Sequence, residues 1–175
     1  MNKKLLILGA GTYGVVAKEI ALSMNCFDKI EFVDDQAKLA ADGSGVVGTS
    51  EDIKRLSSAF SHAVVALGNP EIRIKLLQKI ENETTMEIAT LISPLAYVSS
   101  SANIGKGCII EPMAVIHTGC VIGNGCLISA GAVVNHISTL EDGVHVDCNA
   151  TVAGYMNVPR ATKIACGEVF NTAEN

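Results

Sequence analysis

Three glycines near the N-terminus are spaced as in loops that hold phosphate groups. Gly9, Gly11 and Gly14 follow the pattern G-x-G-x-x-G. These glycines allow a tight turn and let a phosphate approach the free N–H groups at the start of a helix. About twenty residues after the last glycine come Asp34 and Asp35, and a carboxylate there can accept hydrogen bonds from ribose hydroxyls. The pattern predicts a nucleotide site; a structural turn without a ligand is the open alternative.

One histidine is placed to move protons. His136 is the third residue of a six-residue repeat that begins at Val134, and in a β-helix this step of the repeat points away from the core. An exposed imidazole titrates near physiological pH, so it can accept a proton from an attacking nucleophile. His136 is therefore a candidate general base.

The glycines and acids lie in a segment where predicted strands and helices alternate. We predict strands at 5–8, 30–33, 62–67 and 86–91, and helices at 15–24, 50–56 and 71–80. Such alternation is typical of a small parallel sheet covered by helices, that is, a Rossmann-like α/β domain, here over residues 1–91. Ligands of these sheets bind outside the carboxyl ends of the strands, where the glycine loop, the two acids and Gly68-Asn69 all fall. The helix at 71–80 is expected to face inward with Ile72, Leu76, Leu77 and Ile80.

His136 lies in a second segment with a strict period of six. Thirteen successive hexads begin with an aliphatic residue: Ile92, Val98, Ile104, Ile110, Ile116, Ile122, Ile128, Val134, Leu140, Val146, Val152, Val158 and Ile164. Four residues further on, the side chain is usually small, as at Ala96, Cys108, Ala114, Cys126 and Ala132. This period fits a parallel β-helix with three flat sides, over residues 92–175, in which residues eighteen apart stack in interior columns. Met156 and Glu168 break the small position, which predicts a shortened or less regular end.

Composition excludes several classes of function. A net charge of −5 argues against a nucleic-acid partner. The six cysteines form no C-x-x-C pair, so we expect buried thiols in a reducing cytoplasm and no metal site. No segment is long enough to span a membrane, so membrane insertion is not expected.

The two halves together resemble a known family. The chain is similar over nearly its whole length to the bacterial nucleotide-amino-sugar N-acetyltransferases and the related sialic-acid O-acetyltransferases. The matching motifs are GAGTYG at 9–14, FVDD at 32–35, LGNPEIR at 67–73, GAVVNH at 131–136 and ATVAG at 150–154. These proteins pair a Rossmann-like nucleotide-sugar domain with a left-handed β-helix of hexapeptide repeats.

The resemblance implies an acetyl-CoA-dependent transfer to the amino group of a nucleotide-linked sugar. It implies His136 as general base, the N–H of Gly154 as oxyanion donor, and His145 and Gly154 near the cofactor. Acetyl-CoA would lie between neighbouring β-helices of a homotrimer. The nucleotide-sugar contacts would come from Gly11, Tyr13, Asp34, Asp35, Gly68 and Asn69.

Two departures from the family pattern matter. Tyr13 replaces a histidine of the glycine loop, so contacts to the sugar can differ. Ile137 replaces the carboxylate that commonly orients the base; a substitute could come from Asn135, Glu141, Asp142 or Asp147, and the sequence does not choose among them.

Three other functions remain open at this stage. A close variant transfers the acetyl group to a hydroxyl, as in sialic-acid O-acetylation. Ile137 and the weaker regularity after Val152 favour a non-catalytic nucleotide-sugar-binding subunit. An NAD-dependent oxidoreductase would use only the glycine motif and leaves the hexads without a purpose, so it ranks last.

Overall fold

A computed structural model describes residues 3–171 of the chain. The chain divides into two compact units, Met1–Leu91 and Ile92–Asn175. The predicted outer ends of the two domains, at residues 1 and 175, lie outside the described residues.

The first unit is a parallel sheet with helices, built from alternating elements as the sequence predicts. Its elements in order are β1 (Lys4–Leu8), α1 (Thr12–Ser23), β2 (Lys29–Val33), a 3₁₀ helix (Ser50–Asp52), α2 (Ile53–Leu56), β3 (His62–Val65), α3 (Pro70–Glu83) and β4 (Glu87–Ile88). The strands lie in the order β2-β1-β3-β4, and every pairing is parallel. The buried strands β1 and β3 carry continuous apolar runs because helices cover a parallel sheet.

The start of α3 sets which of its residues face the core. The side chain of Asn69 caps the helix by accepting from the N–H of Ile72 at 3.1 Å, and Pro70 fits the first turn because its missing N–H would be unpaired there. The prediction that Ile72 faces inward is wrong, since its side chain is 49% exposed. Arg73 is fully buried instead, because its guanidinium donates to the carbonyls of Leu67 and Gly68 at 2.6 and 3.2 Å. A buried charge needs such acceptors.

Other element boundaries also differ from the predictions. The strand predicted at 86–91 is two strands: β4 ends at Ile88, and Leu91–Ile92 forms β5, which belongs to a sheet of the β-helix. The helix predicted over 50–56 begins at Ser50, but its first turn is the 3₁₀ helix Ser50–Asp52; Thr49 caps it, and the N–H of Thr49 donates to the carboxylate of Asp52 at 2.9 Å.

The second unit is a β-helix made of two-residue strands. They are β5 (Leu91–Ile92), β6 (Tyr97–Val98), β7 (Asn103–Ile104), β8 (Ile109–Ile110), β9 (Val115–Ile116), β10 (Val121–Ile122), β11 (Leu127–Ile128), β12 (Val133–Val134), β13 (Thr139–Leu140), β14 (His145–Val146), β15 (Thr151–Val152), β16 (Asn157–Val158), β17 (Lys163–Ile164) and β18 (Val169–Phe170). They form three parallel sheets, ordered β16-β13-β10-β7, β17-β14-β11-β8-β5 and β18-β15-β12-β9-β6.

The interior columns predicted from the period of six are confirmed. Ile110, Ile128 and Val146 are in register on adjacent strands, and each is fully buried. The small side chains at the fifth step, such as Cys108 and Cys126, are also fully buried. The register continues past Val152 to β18, so the irregular steps at Met156 and Glu168 do not break the ladder.

From the hexad of Ile104 to that of Ile164, the corners of the β-helix impose a left-handed backbone conformation at the fourth step. Glycine, which tolerates this conformation, holds the position in many coils. Ile137 holds it with φ 57°, which is unfavourable for a β-branched residue, and Tyr155 holds it one coil later with φ 61°. Side chains other than glycine at such corners are Met113, Ile137, Asn149, Tyr155 and Ala161.

Candidate active site

The three glycines of the N-terminal loop have different roles. A Cβ on Gly14 would overlap the carbonyl oxygen of Gly9, so Gly14 allows α1 to pack against the loop. Gly9 has φ 110°, and a Cβ there would come within 2.7 Å of the carbonyl oxygen of Ala66. Gly11 precedes the first turn of α1 and is exposed, and no atom lies within 4 Å of the position of its Cβ. Packing therefore explains why glycine occupies positions 9 and 14. It does not explain glycine at position 11, where the space next to the Cα is empty.

Asp34 closes this loop through its carboxylate. Its Oδ2 accepts the N–H of Ala10 at 2.9 Å, and its Oδ1 accepts the N–H groups of Gln36 and Ala37, each at 2.9 Å. Partial burial opposes ionisation of Asp34, but the three N–H donors outweigh it and hold the pKa of the carboxyl below its usual range. Asp34 therefore holds the shape of the loop, with three of its hydrogen bonds made to backbone.

Asp35, the next residue, is exposed and borders a groove. Its carboxylate accepts the N–H of Ser50 at 2.7 Å and the hydroxyl of Ser50 at 2.9 Å. This pair ties the end of β2 to the start of the 3₁₀ helix. Asp35 thus lies where a ligand in the groove can reach it.

The groove lies at the carboxyl ends of β1, β2 and β3. It consists of a cleft of about 320 Å³ and an adjoining one of about 700 Å³, which share Asp35, Ser50, Leu67, Ile72 and Leu76 as lining residues. The side chain of Ile72, misassigned to the core from the sequence, forms part of this wall. Lys75 and Lys79 of α3 line the larger cleft.

Lys79 crosses the larger cleft to an acidic residue. Its Nζ lies 2.5 Å from Oε1 of Glu51, and this hydrogen bond raises the pKa of the lysine. The larger cleft is thus lined by charges of both signs, two lysines (Lys75 and Lys79) and three acids (Asp35, Glu51 and Glu83).

The remaining N-terminal candidates lie near the strand ends. Gly68 is exposed, with no atom within 4 Å of its Cβ position, and Asn69 is exposed while it caps α3. Tyr13 is half-buried in the first turn of α1.

In the second unit, His136 lies at the outer surface, and one of its two ring nitrogens makes a hydrogen bond. Its Nδ1 is 2.7 Å from Oδ1 of Asn135, and its backbone N–H donates to the same oxygen at 2.8 Å. The ring of Tyr155 meets the imidazole edge to face, with centroids 5.0 Å apart and planes at 89°. Of the four acceptors that the sequence left open, Asn135 is the one that binds the imidazole.

Gly154 lies one coil beyond His136, at the same step of the hexad. A Cβ on Gly154 would come within 3.0 Å of Nε2 and 3.1 Å of Cε1 of His136. The imidazole therefore lies against the Cα of Gly154, and only glycine leaves room for it there.

His145 and His117 have different surroundings. His145 is 6% exposed; its Nε2 is 3.1 Å from the hydroxyl of Ser129 and 3.9 Å from Oδ1 of Asp147. Burial opposes ionisation of Asp147, but the hydrogen bond from Lys163 and the N–H of Cys148 keep the pKa of its carboxyl below the usual range. His117 is exposed, with its ring 6.5 Å from that of Tyr97.

Sequence reasoning missed Tyr155 and the groove residues Ser50, Ile72 and Lys75. A signal for Tyr155 existed, because it lies eighteen residues after Ile137 and so on the same corner, one coil further.

Within residues 3–171, no three His, Cys, Asp or Glu side chains cluster as a metal site would require. Among the helices of the described part of the chain, none has the length and apolar character needed to cross a bilayer.

Comparisons with known proteins agree with this architecture. The chain matches the PglD N-terminal domain over residues 4–80 and the bacterial transferase hexapeptide (six repeats) over residues 88–136. The comparison with curated proteins gives no match.

Solved structures give closer similarity. Two structures of the acetyltransferase domain of PglB from Neisseria gonorrhoeae, one in complex with acetyl coenzyme A, are 30% and 31% identical to this chain, each with a TM-score of 0.91. The matches cover 96% and 97% of this chain and 82% of the PglB chain. A mutant of perosamine N-acetyltransferase from Caulobacter crescentus, in complex with CoA and GDP-perosamine, shares the fold at 23% identity and a TM-score of 0.74, covering 96% of this chain and 88% of its own.

These similarities confirm the predicted fold class, a Rossmann-like α/β domain followed by a left-handed β-helix. The PglB similarity extends through both halves of the chain at 30% identity. The chain is therefore an acetyltransferase and belongs to the nucleotide-amino-sugar N-acetyltransferase family of hexapeptide-repeat proteins.

Proposed function

We propose that this protein transfers an acetyl group from acetyl-CoA to the amino group of a nucleotide-linked amino sugar. The observation that carries the proposal is the setting of His136. Its Nδ1 is held by Asn135, whereas its Nε2 makes no hydrogen bond to any residue that the structure describes. One nitrogen is thus anchored, and the other is left to accept a proton.

The reaction needs one base and one oxyanion donor. The sugar amine attacks the thioester carbonyl, Nε2 of His136 takes the proton that the amine loses, and the carbon–sulfur bond breaks. The proton then passes from His136 to the departing thiolate, so the products are the N-acetylated sugar and free CoA. The negative charge on the carbonyl oxygen requires a preorganised donor near the base.

Gly154 supplies a suitable N–H. At the same step of other hexads, side-chain oxygens accept this N–H, at Lys106, Asn124, Ala130, His136, Cys148 and Arg160. For Gly154, none of the described residues accepts it. Gly154 is half-buried, so this N–H is left for solvent in the free protein and for a substrate oxygen in the complex. This supports Gly154 as the oxyanion donor.

The groove of the first unit suits the nucleotide. The open space above Gly11 admits a phosphate to the start of α1, and Asp35 can accept from a ribose hydroxyl. Lys75 lines the larger cleft and can contact an anionic group of the ligand, whereas Lys79 is already paired with Glu51. In this proposal Tyr13, Gly68 and Asn69 complete the nucleotide-sugar contacts, and Asp34 acts by holding the loop.

We also propose a homotrimer with acetyl-CoA between neighbouring β-helices. Leu95 and Met113 lie eighteen residues apart on one corner and are 69% and 68% exposed, as expected of an interface. The prediction that His145 contacts the cofactor stays a prediction, and its burial in the single chain favours a supporting position behind the surface.

The test is release of free thiol from acetyl-CoA with a panel of UDP- and GDP-linked amino sugars and their hydroxyl analogues. We expect thiol release with an amino sugar and a loss of about 100-fold or more in His136→Ala. His117→Ala is the matched control, because it removes an exposed histidine of the neighbouring coil and should retain activity. Release only with hydroxyl sugars would indicate O-acetylation. Nucleotide-sugar binding without acetyl-CoA binding would indicate a non-catalytic subunit.

A further inference from the structure

We propose that Asn135 is the positioning residue of the base and that its amide oxygen, in place of a carboxylate, fixes the imidazole proton of His136 on Nδ1. This inference rests on the proposed role of His136. It adds a specific protonation state and a specific dependence of the rate on pH.

The identity of the atoms follows from hydrogen-bond chemistry. A backbone N–H can only donate, so the side-chain atom of Asn135 that lies 2.8 Å from the N–H of His136 must be the carbonyl oxygen. The same atom lies 2.7 Å from Nδ1, and an amide oxygen can only accept. Nδ1 must therefore carry a proton. In the neutral imidazole, Nε2 then has the free lone pair that a base requires.

The amide of Asn135 is held in a fixed place. Its backbone N–H donates to the carbonyl of Val152 at 3.0 Å, within the ladder between coils. Its own carbonyl oxygen accepts the thiol of Cys120 at 3.1 Å. The backbone of Asn135 is thus fixed on both sides, and its side chain is fixed by two donors. The acceptor cannot turn away without the loss of both bonds.

The imidazole is also held on its other sides. The Cα of Gly154 lies against the ring, and Tyr155 contacts it edge to face. A turn of the ring by 180° would bring Cδ2 towards Asn135 and break the bond at Nδ1. Contacts from two successive coils therefore favour one orientation of the ring.

Within the described residues, the groups recorded against the imidazole of His136 include no carboxylate. They are the amide of Asn135, the phenol ring of Tyr155 and the backbone of Gly154. The candidate carboxylates point elsewhere. Glu141 accepts the N–H of Arg160 at 2.9 Å, Asp142 accepts the N–H of Asn124 at 2.6 Å, and Asp147 pairs with Lys163 at 3.0 Å.

A neutral orienting group has a kinetic consequence. When His136 accepts a proton, the imidazolium gains a hydrogen bond to an amide but no ion pair. An anion at the same position would stabilise the protonated ring. During acidification, the ring would then become protonated, and the base inactive, at a higher pH. Asn135→Asp places such an anion there and retains an acceptor for both N–H groups.

The experiment compares Asn135→Asp and Asn135→Leu with the wild-type protein. For Asn135→Asp, we expect the acidic limb of the pH profile of kcat/KM to move to higher pH by about one unit. For Asn135→Leu, we expect kcat to fall by about 10- to 100-fold with KM nearly unchanged, because the ring loses its tautomer and orientation. Nitrogen NMR of the imidazole should show the proton on Nδ1 in the wild-type protein and a mixture of tautomers in Asn135→Leu.

The outcomes separate this inference from the proposed function. A wild-type imidazole with its proton on Nε2, or an unshifted pH profile in Asn135→Asp, overturns the role of Asn135 while the transferase function stands. Full activity in His136→Ala overturns the base itself. If Asn135→Leu does not fold, the NMR spectrum of the wild-type protein and the profile of Asn135→Asp decide the question.

Discussion

Gly154 and His136 lie on adjacent coils so close together that a single added carbon would touch the imidazole. The virtual Cβ of Gly154 is 3.0 Å from Nε2 and 3.4 Å from Cδ2 of His136. The candidate base and the candidate oxyanion donor are thus one layer apart in the β-helix. They are eighteen positions apart in the sequence and come together because one coil of the β-helix contains eighteen residues.

Gly154→Ala should separate catalysis from folding. The added methyl group displaces the imidazole by a few tenths of an ångström and disturbs its bond to Asn135, so we expect kcat/KM to fall by about 100-fold. Thermal unfolding should change little, because the ring lies at the surface and can shift. Gly45→Ala is the control, since no atom lies within 4 Å of its Cβ position and it belongs to the other unit of the chain from His136. Equal activities of the two variants would contradict the close contact.

Ile137→Gly should stabilise the β-helix. A non-glycine residue in the left-handed region costs about 1–2 kcal/mol, and the entropy of the unfolded glycine offsets roughly 0.5–1 kcal/mol of the gain. We therefore expect the free energy of unfolding to rise by about 0.5–1 kcal/mol, as read from urea denaturation.

Val121→Gly is the matched control for Ile137→Gly. Val121 is also exposed and β-branched but lies in the extended strand β10. Glycine there should lower the free energy of unfolding by about 0.5–1 kcal/mol. Destabilisation by both variants would show that the corner at Ile137 is not strained.

Two glycines of the same loop should respond to alanine in opposite ways. Gly14→Ala forces a methyl group into the backbone of Gly9, and we expect a loss of about 3 kcal/mol in the free energy of unfolding. Gly11→Ala meets no atom within 4 Å, so stability should change by less than about 0.5 kcal/mol.

The effect of Gly11→Ala should appear in ligand binding. Its KM for the nucleotide sugar should rise by about tenfold, which corresponds to about 1.4 kcal/mol of binding free energy. Steady-state kinetics and denaturation of both variants test this contrast. An unchanged KM would mean that the open space above Gly11 is not used by the ligand.

Asp34→Asn should destabilise the first unit in a manner that depends on pH. The native fold lowers the pKa of Asp34 below its ordinary value of 3.8, so ionised Asp34 stabilises the folded state above that pH. The variant should lose about 1–3 kcal/mol at pH 7, since an amide nitrogen cannot accept the loop N–H groups. The difference from wild type should shrink as the pH falls below 4 and through the lowered pKa.

Glu19→Gln is the control for this pH series. Glu19 is an exposed acid on α1, and its neutralisation should leave stability nearly unchanged at every pH. Urea denaturation at several pH values measures both variants. A penalty for Asp34→Asn that stays constant down to pH 2 would contradict the role of the ionised carboxylate.

The sequence was most informative where local spacing decides packing. The period of six gave the interior columns correctly, because a side chain at every sixth residue must point into the narrow core of the β-helix and only small or aliphatic groups fit. It also placed the candidate base at the surface step. The sequence-based assignment of α3 failed for Ile72 and Arg73. An amphipathic pattern does not reveal that two backbone carbonyl groups lie where they can accept hydrogen bonds from a buried guanidinium.

The sequence by itself determined the two-part architecture, the acid and glycine motifs, and His136, since these depend on residue type and regular spacing. Only the tertiary structure decided that Asn135 holds the imidazole and that Asp34 holds the glycine loop. The reason is physical: the oxygen of a carboxylate or an amide side chain can accept a hydrogen bond from any donor within about 3 Å. Which donor comes that close depends on the directions of side chains at a corner and on the stacking of coils, which residue type and spacing do not specify.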